Sequence, residues 1–194
     1  MAPGEGGSRE APRKGSAPVR RARDMASPPF ASPWRKSHKF DRVALPIADR
    51  HYNRRKPGSP QFCPPGRTVV LLAPHALWVT SWPFAEYTKH DWPGAWINSL
   101  FRNEGEGLAS DLIRLAVAHT RSVWEPPELG MVTFVDPKKV RGKKDPGYCY
   151  LMAGFTLVGK TKGGLLAWQM LPEVMPEPLP IPSDQASFDL VGVI

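Results

Sequence analysis

Four side chains of this sequence could move protons or bind a metal at a common site: His51, Tyr52, Asp136 and Tyr150. An imidazole, a carboxylate and two phenols supply acids, bases and ligand atoms, and the Arg102 guanidinium could hold negative charge that develops during a transfer reaction. Each residue type is also common in structural roles, since an Asp before a Pro often forms a turn and a Tyr in a short helix often packs. A catalytic interpretation therefore requires a fold that brings the four together.

The apolar pattern predicts alternating helices and strands. Runs rich in β-branched and aromatic residues indicate strands, and Gly and Pro mark their ends. One long helix is indicated by a shared apolar face, formed by Leu108, Leu112, Leu115, Ala116 and His119. In chain order, the predicted elements are helix 43–52, strands 68–73, 77–82 and 95–101, helix 108–123, strand 131–135, helix 147–153, and strands 155–160 and 165–170.

This order predicts an α+β fold with a mixed, mostly antiparallel sheet and flanking helices. Strand 95–101, helix 108–123 and strand 131–135 form a central βαβ unit, whose two strands should be parallel. Ligands of such sheets lie outside the carboxyl ends of the parallel strands, which here are residues 102–107 and 136–137. The His51-Tyr52 pair at a helix end and Tyr150 in the short helix are expected at the same edge.

Residues 43–172 carry 16 basic and 10 acidic side chains, a net charge of +6, which points to a polyanionic partner. The same charge could also serve only solubility. Two basic clusters flank the predicted sheet edge and could contact the phosphates of DNA. The first follows the first helix, and the second follows strand 131–135. Their members are Arg54, Arg55 and Lys56, and Lys138, Lys139, Arg141, Lys143 and Lys144.

The two ends of the chain differ in composition from its middle. Residues 1–42 carry ten Lys or Arg against four acids and show no apolar period, which predicts a disordered basic arm. Residues 43–172 form the predicted domain, and residues 173–194 form a Pro-rich acidic tail that is expected to be mobile rather than docked. Two cysteines without metal-ligand spacing, no apolar run of membrane-spanning length and no apolar signal core predict a cytoplasmic protein without a membrane partner.

Two motifs at matching positions give a family resemblance over residues 43–171. R-x-x-G-x-G opens the long helix with Arg102, Gly105 and Gly107, and Y-x-x-A-G-F closes the short helix from Tyr150 to Phe155. In this order they resemble the GNAT acyltransferase superfamily. The resemblance implies a GNAT-like fold and an acyl-CoA or related donor, whose diphosphate would lie on the backbone at Arg102, Asn103, Gly105 and Gly107.

The same loop departs from the family pattern because it carries two carboxylates, Glu104 and Glu106. Close to a diphosphate, each like-charge contact costs on the order of a few kcal/mol. The departure predicts poor binding of acetyl-CoA.

A narrower resemblance concerns the branch of Mom-type DNA-modification proteins of phages. The motifs are H-Y-x-x-R followed by Lys56-Pro57, F-V-D-P at 134–137 and P-G-x-C-Y at 146–150. This branch implies conversion of the exocyclic amine of adenine in DNA to a methylcarbamoyl-type derivative. It also implies a bound metal, with iron expected, and His51, Asp136 and Tyr150 are the candidate ligands.

Three functions remain open from the sequence. The first is a GNAT-like transferase that modifies a base in DNA, with His51, Tyr52, Asp136 and Tyr150 as catalytic residues. The second is an acyl-CoA-dependent N-acyltransferase acting on a small amine or a protein, and the glutamates of the loop argue against it. The third is a noncatalytic nucleic-acid-binding module, against which the polar cluster argues.

Overall fold

A computed structural model describes residues 31–84, 88, 90–140 and 145–182 of the chain. The elements of this part, in chain order, are β1 (Arg35–Ser37), α1 (Leu45–Asp49), β2 (Arg67–Ala73), β3 (Ala76–Trp82), β4 (Trp96–Asn103), α2 (Ala109–Arg121), β5 (Met131–Val135), α3 (Tyr148–Ala153), β6 (Thr156–Lys160), β7 (Leu166–Met170) and a 3-10 turn at Pro172–Val174. Within these residues, no helix is both long and apolar enough to cross a membrane.

The strands form one mixed sheet in the order β1-β2-β3-β4-β5-β7-β6. Neighbours pair antiparallel, except that β4 and β5, which α2 connects, are parallel. The α+β class and the central parallel βαβ unit are therefore as the sequence predicts. Because β7 lies between β5 and β6, the last hairpin extends the sheet beyond β5.

The two parallel strands pair only over their first halves. Their ladder runs from Trp96–Met131 to Asn98–Thr133, whereas β4 continues to Asn103 and β5 to Val135. The β3–β4 register shifts at Val79, next to this point. A bulge adds a residue to one strand and bends it, so the sheet opens between the carboxyl ends of β4 and β5.

Each face of the sheet carries its own core. Helices α2 and α3 cover one face, where the fully buried Trp78, Trp96 and Met131 pack against Leu112. Helix α1 covers the other face over β2, β3 and β4. Leu108 was predicted to lie on the buried face of the long helix, but it is the N-cap residue of α2 and is 67% exposed.

The folded part extends beyond the predicted boundaries at both ends. Strand β1 pairs with β2, and the buried Trp34 donates its indole N–H to the Leu112 carbonyl at 3.0 Å. At the other end, the Leu179 N–H donates to the Ala118 carbonyl at 3.1 Å, and Met175 is buried. The arm predicted for 1–42 and the tail predicted for 173–194 thus include ordered segments, because a few large apolar side chains in them pack on α2. Residues 1–30 and 183–194 lie outside the described residues.

Gly147 sets the start of α3 and leads to the first stability prediction. It occupies the N-cap with φ 91°, and a Cβ there would lie 2.3 Å from the Trp168 Nε1. Both the positive φ and the clash oppose a side chain, so we expect Gly147→Ala to lower the unfolding free energy by ~2 kcal/mol or more. Urea denaturation measures the change.

Gly163→Ala is the matched control for that substitution. A Cβ at Gly163 would meet only the Thr161 hydroxyl at 3.9 Å, and its φ is not in the left-handed region. Equal denaturation midpoints for the two variants would contradict the packing described for Gly147.

Candidate active site

The opening between β4 and β5 contains a cavity of about 230 Å³. Residues from the turn after α1, from the end of β4 and from α3 line it, and they include His51, Tyr52, Arg102, Cys149 and Tyr150. Asp136 directly follows β5 and interacts with the Tyr52 hydroxyl through its backbone. The four predicted catalytic residues are thus brought to one edge of the sheet.

His51 is a buried, uncharged imidazole. Burial lowers its pKa to about 4, and the positive charges of Arg102 and Lys139 act in the same direction, whereas a hydrogen bond with the Phe101 carbonyl opposes them. Its Nδ1 accepts the Asn53 N–H at 3.3 Å, which leaves the proton on Nε2. At neutral pH His51 is therefore a neutral ring whose Nδ1 is occupied by a backbone N–H.

Tyr52 lies beside His51 with its ring stacked on the imidazole, 4.5 Å between centroids. Burial raises the pKa of the phenol, and a hydrogen bond with the Asp136 backbone opposes that rise; the Asp136 carboxylate and Cys149 add to it. The hydroxyl consequently keeps its proton at neutral pH and can act as a proton donor.

Tyr150 points into the sheet. Its hydroxyl donates to the Asn98 Oδ1 at 2.7 Å, and the Thr133 hydroxyl donates to the same oxygen at 3.2 Å. The Asn98 amide in turn donates to the carbonyls of Val79 and Leu100 at the bulge. Burial raises the pKa of Tyr150 well above its usual range, so the phenol is a fixed donor within a satisfied network.

Asp136 forms the turn that ends β5. One carboxylate oxygen accepts the Lys138 N–H at 2.9 Å, and the Asp136 carbonyl accepts the N–H groups of Lys139 and Val140. The carboxylate is half-buried and carries charge close enough to influence Tyr52. A carboxylate that can accept a proton thus lies close to the Tyr52 donor.

These side chains do not present a metal-ligand set. Among the described residues, no three His, Cys, Asp or Glu side chains are grouped so that they could share a metal ion. Two of the predicted ligands are engaged elsewhere, since the His51 Nδ1 accepts the Asn53 N–H and the Tyr150 hydroxyl is bound to Asn98. We therefore derive no reaction step through iron or another metal.

The loop predicted to hold a diphosphate already uses two of its backbone N–H donors. The Asn103 Oδ1 accepts the N–H groups of Gly105 at 3.0 Å and Glu106 at 2.9 Å, and the Asn103 Nδ2 donates to the Gly107 carbonyl. A diphosphate would have to displace Asn103 to reach these donors. The local fold thus opposes the cofactor role predicted for Asn103 and Gly105.

The side chains of both loop glutamates accept hydrogen bonds from donors of the protein. Glu104 accepts the Arg50 Nε at 2.7 Å and is also bound by Arg102, and these contacts, that with Arg50 foremost, lower its pKa to about 2. Glu106 accepts the His75 N–H at 2.8 Å. Arg102, which was expected to face a reacting group or a diphosphate, instead binds Glu104 and the Arg50 carbonyl.

The predicted DNA-binding residues divide into two groups. Arg54 has an internal role, because it pairs with Asp49 at 2.7 Å and donates to the carbonyls of Ser59 and Gln61. The other described members are exposed: Arg55, Lys56, Lys138 and Lys139. Arg55 and Lys56 line a neighbouring cavity that His51 also lines, and the Lys139 Nζ donates to the Tyr52 carbonyl at 3.3 Å. Arg141, Lys143 and Lys144 lie outside the described residues.

Sequence reasoning missed Asn98, Thr133 and Arg50. The first two carried a usable signal, because a polar residue in a buried strand usually has a specific partner. Arg50 carried none, since its partner Glu104 is far away in the sequence and only the fold brings them together.

The neutral state of His51 gives a pH prediction. Its pKa is about 4 in the folded chain and ~6.5 in an unfolded one. The unfolded state binds the proton more readily, so stability is full above pH ~6.5 and is lost as the pH falls, by about 3 kcal/mol near pH 4. Burial also lowers the pKa values of His90 and His119. Both residues therefore add to the loss of stability as the pH falls.

Urea denaturation at a series of pH values measures this loss. We expect His51→Asn to lose less unfolding free energy than the unaltered chain between pH 6.5 and 5. An identical pH dependence for the two proteins would show that His51 is not a buried neutral imidazole.

The positions, burial and hydrogen bonds of these side chains are the observations that bear on function. No family model, no curated protein and no solved structure matches the chain.

Proposed function

We propose that this chain is a GNAT-like group transferase that modifies a base in DNA, with the exocyclic amine of adenine as the acceptor. The observation that carries the proposal is the opening between β4 and β5, where a protonated Tyr52 lies next to the Asp136 carboxylate. A parallel pair opened at its carboxyl ends supports a ligand site at that edge. The strand order, with β7 inserted next to β5, supports the GNAT-like fold.

The chemistry follows from the protonation states of these groups. The amine nitrogen attacks the carbonyl carbon of a bound donor, so a C–N bond forms and the bond from that carbon to the leaving group breaks. Asp136 accepts the proton released by the amine, and Tyr52 donates a proton to the leaving group. His51 holds the Tyr52 ring by stacking on it, and Tyr150 fixes the opening through Asn98.

The charge around the opening supports DNA as the substrate. Arg55, Lys56, Lys138 and Lys139 are exposed near it, whereas the acidic Glu104 is bound by two arginines. Exposed cations can bind backbone phosphates on either side of a reacting base. A small amine would need no such surface.

The loop geometry also supports this function over that of an acyl-CoA-dependent N-acyltransferase. Because Asn103 occupies the N–H groups of Gly105 and Glu106, we expect the unaltered chain to bind acetyl-CoA more weakly than about 1 mM. Replacing Glu104 and Glu106 together by Gln removes two negative charges and frees Arg102, so this variant should bind acetyl-CoA better. Calorimetry measures both affinities.

The matched control replaces Glu125 and Glu128, which are exposed before β5, by Gln. It makes the same charge change away from the loop and should leave the weak binding unaltered. Tight binding of acetyl-CoA by the unaltered protein would favour the N-acyltransferase instead.

Mass spectrometry of cells that express the chain distinguishes the three functions. We expect a new nucleoside in enzymatic digests of their DNA. Acylated peptides without a new nucleoside would support the N-acyltransferase, and neither product would support the noncatalytic binding module.

A further inference from the structure

A second cavity of about 590 Å³ has aromatic walls and a basic rim. His90 and Phe134 lie on one side, and the β6–β7 turn with Lys162 lies on the other. Phe134 is on β5 next to Val135, which packs in the core beneath α2 and α3. Because neighbouring side chains of a strand point to opposite faces, the cavity lies on the sheet face away from those helices.

The aromatic side chains form a packed group at this cavity. The rings of His90 and Phe134 are 5.2 Å apart, and Trp92 packs against Phe134 at 5.8 Å. His90 and Phe134 are half-buried and line the cavity. A planar aromatic ligand can stack on such a surface, and the cavity volume is within the range of small-molecule sites.

The polar groups of the cavity match a nucleotide. Arg55 and Lys162 are exposed cations that can bind phosphates, and the exposed Asp91 can accept a hydrogen bond from an amino group of a base. An apolar ligand would offer no partner to these three charged side chains. The combination of stacking walls, two cations and one acceptor therefore favours a nucleotide.

This cavity is linked to the reaction site by lining residues that neighbouring cavities share. Arg55 also lines a cavity of about 520 Å³ beside the turn after α1, and His51 lines both that cavity and the one between β4 and β5. A nucleic-acid strand can follow this path because Lys56 adds a further cation to it.

We propose that the cavity at His90 and Phe134 binds the base of an unpaired or extruded nucleotide, whose phosphates contact Arg55 and Lys162. The inference deepens the proposed function and rests on it for the choice of nucleic acid as partner. It assigns a base-binding role to two residues outside the predicted catalytic cluster.

Fluorescence anisotropy with two single-stranded probes tests the inference. One is an oligodeoxyadenylate of about twelve nucleotides, and the other has the same phosphodiester backbone with abasic sites. We expect the unaltered chain to bind the base-bearing probe about tenfold more tightly, since stacking of a base on an aromatic side chain has this magnitude. Equal affinity for the two probes would overturn the inference.

Two substitutions of aromatic residues test whether the preference for the base-bearing probe arises at this cavity. Phe134→Leu and His90→Ala should each bring the ratio of the two affinities close to one, and His90→Ala decides the matter if Phe134→Leu does not fold. Tyr148→Leu is the control, because Tyr148 is exposed on α3 and lines none of the three cavities. A preference that persists in His90→Ala and in every folded Phe134 variant would contradict the assignment.

A variant that lacks one cation of the cavity and a duplex probe complete the test. Lys162→Gln should weaken binding of both probes equally, whereas Lys36→Gln, on β1 at the opposite edge of the sheet, should weaken neither. Preference for a duplex with one unpaired adenine over a fully paired duplex would identify an extruded base as the source. A base preference without any new nucleoside in cellular DNA would reject the transferase alone, and a new nucleoside without base preference would reject this cavity alone.

Discussion

Tyr52→Phe is expected to lower the yield of modified nucleoside in cellular DNA by about 100-fold or more, because a positioned proton donor contributes at least this factor. The ring remains, so its stacking on His51 is kept and the fold should be unchanged. Affinity for duplex DNA should stay within about twofold, since a group that acts in the transition state contributes little to substrate binding.

Asp136→Asn tests the proton acceptor in the same way. The amide can still accept the Lys138 N–H that holds the turn after β5, but it is a very weak base. We expect a similar loss of product with unaltered DNA affinity. Tyr148→Phe is the control for the phenol, since Tyr148 is exposed outside the cavity. Full product yield from both site variants would show that the reaction does not depend on this pair.

The second large effect is that of salt on DNA binding. Four exposed cations near the opening, Arg55, Lys56, Lys138 and Lys139, can each replace a counterion on DNA. With about four phosphate contacts, affinity should fall on the order of 100-fold when the salt concentration rises fourfold. Fluorescence anisotropy with a duplex probe at two salt concentrations measures it.

Single substitutions assign this salt dependence to the surface. Lys56→Gln should reduce the slope of log affinity against log salt by about one, and Lys36→Gln, at the far edge of the sheet, should not. Deleting residues 1–30 removes further cations and should also reduce the slope. The deletion has to end there because Ser32 and Trp34 contact α2. A slope near zero for the unaltered chain would remove DNA from the account.

The order of elements could be predicted because its signals are local. Strand β5 has the predicted bounds, since an apolar run ends at Asp136-Pro137 and Pro disfavours continuation. Gly154 ends α3 in the predicted left-handed conformation, with φ 106°. The connection of β4 to β5 through a helix fixes their parallel pairing in the same way.

The details of the site depend on contacts between distant segments, which the sequence pattern does not contain. The ladder between β4 and β5 ends where Asn98 receives hydrogen bonds from Thr133 and Tyr150, so Tyr150 became a structural donor. The Glu104 carboxylate is held by Arg50, although strands β2, β3 and β4 separate the two residues in the sequence. Each outcome follows from side chains that meet only in the folded chain.

The ends of the domain were also not predictable from local sequence, because they are ordered by contacts with distant residues. The segment around Trp34 and the segment around Leu179 both reach α2 and meet at His119, whose ring nitrogens lie 2.7 Å from the Ser32 hydroxyl and 2.8 Å from the Leu179 carbonyl. Their polar and Pro-rich composition predicts an arm and a tail, because composition averages over a segment. A single buried Trp or a buried His partner is enough to order the chain around it.

The most direct test of the central claim is high-resolution mass spectrometry of deoxyadenosine from the DNA of cells that express the unaltered chain. The account predicts a heavier deoxyadenosine whose fragmentation places the added group on the base, at the exocyclic amine, and not on the sugar. Deoxyadenosine of unaltered mass, from cells in which the folded protein is present, would contradict it.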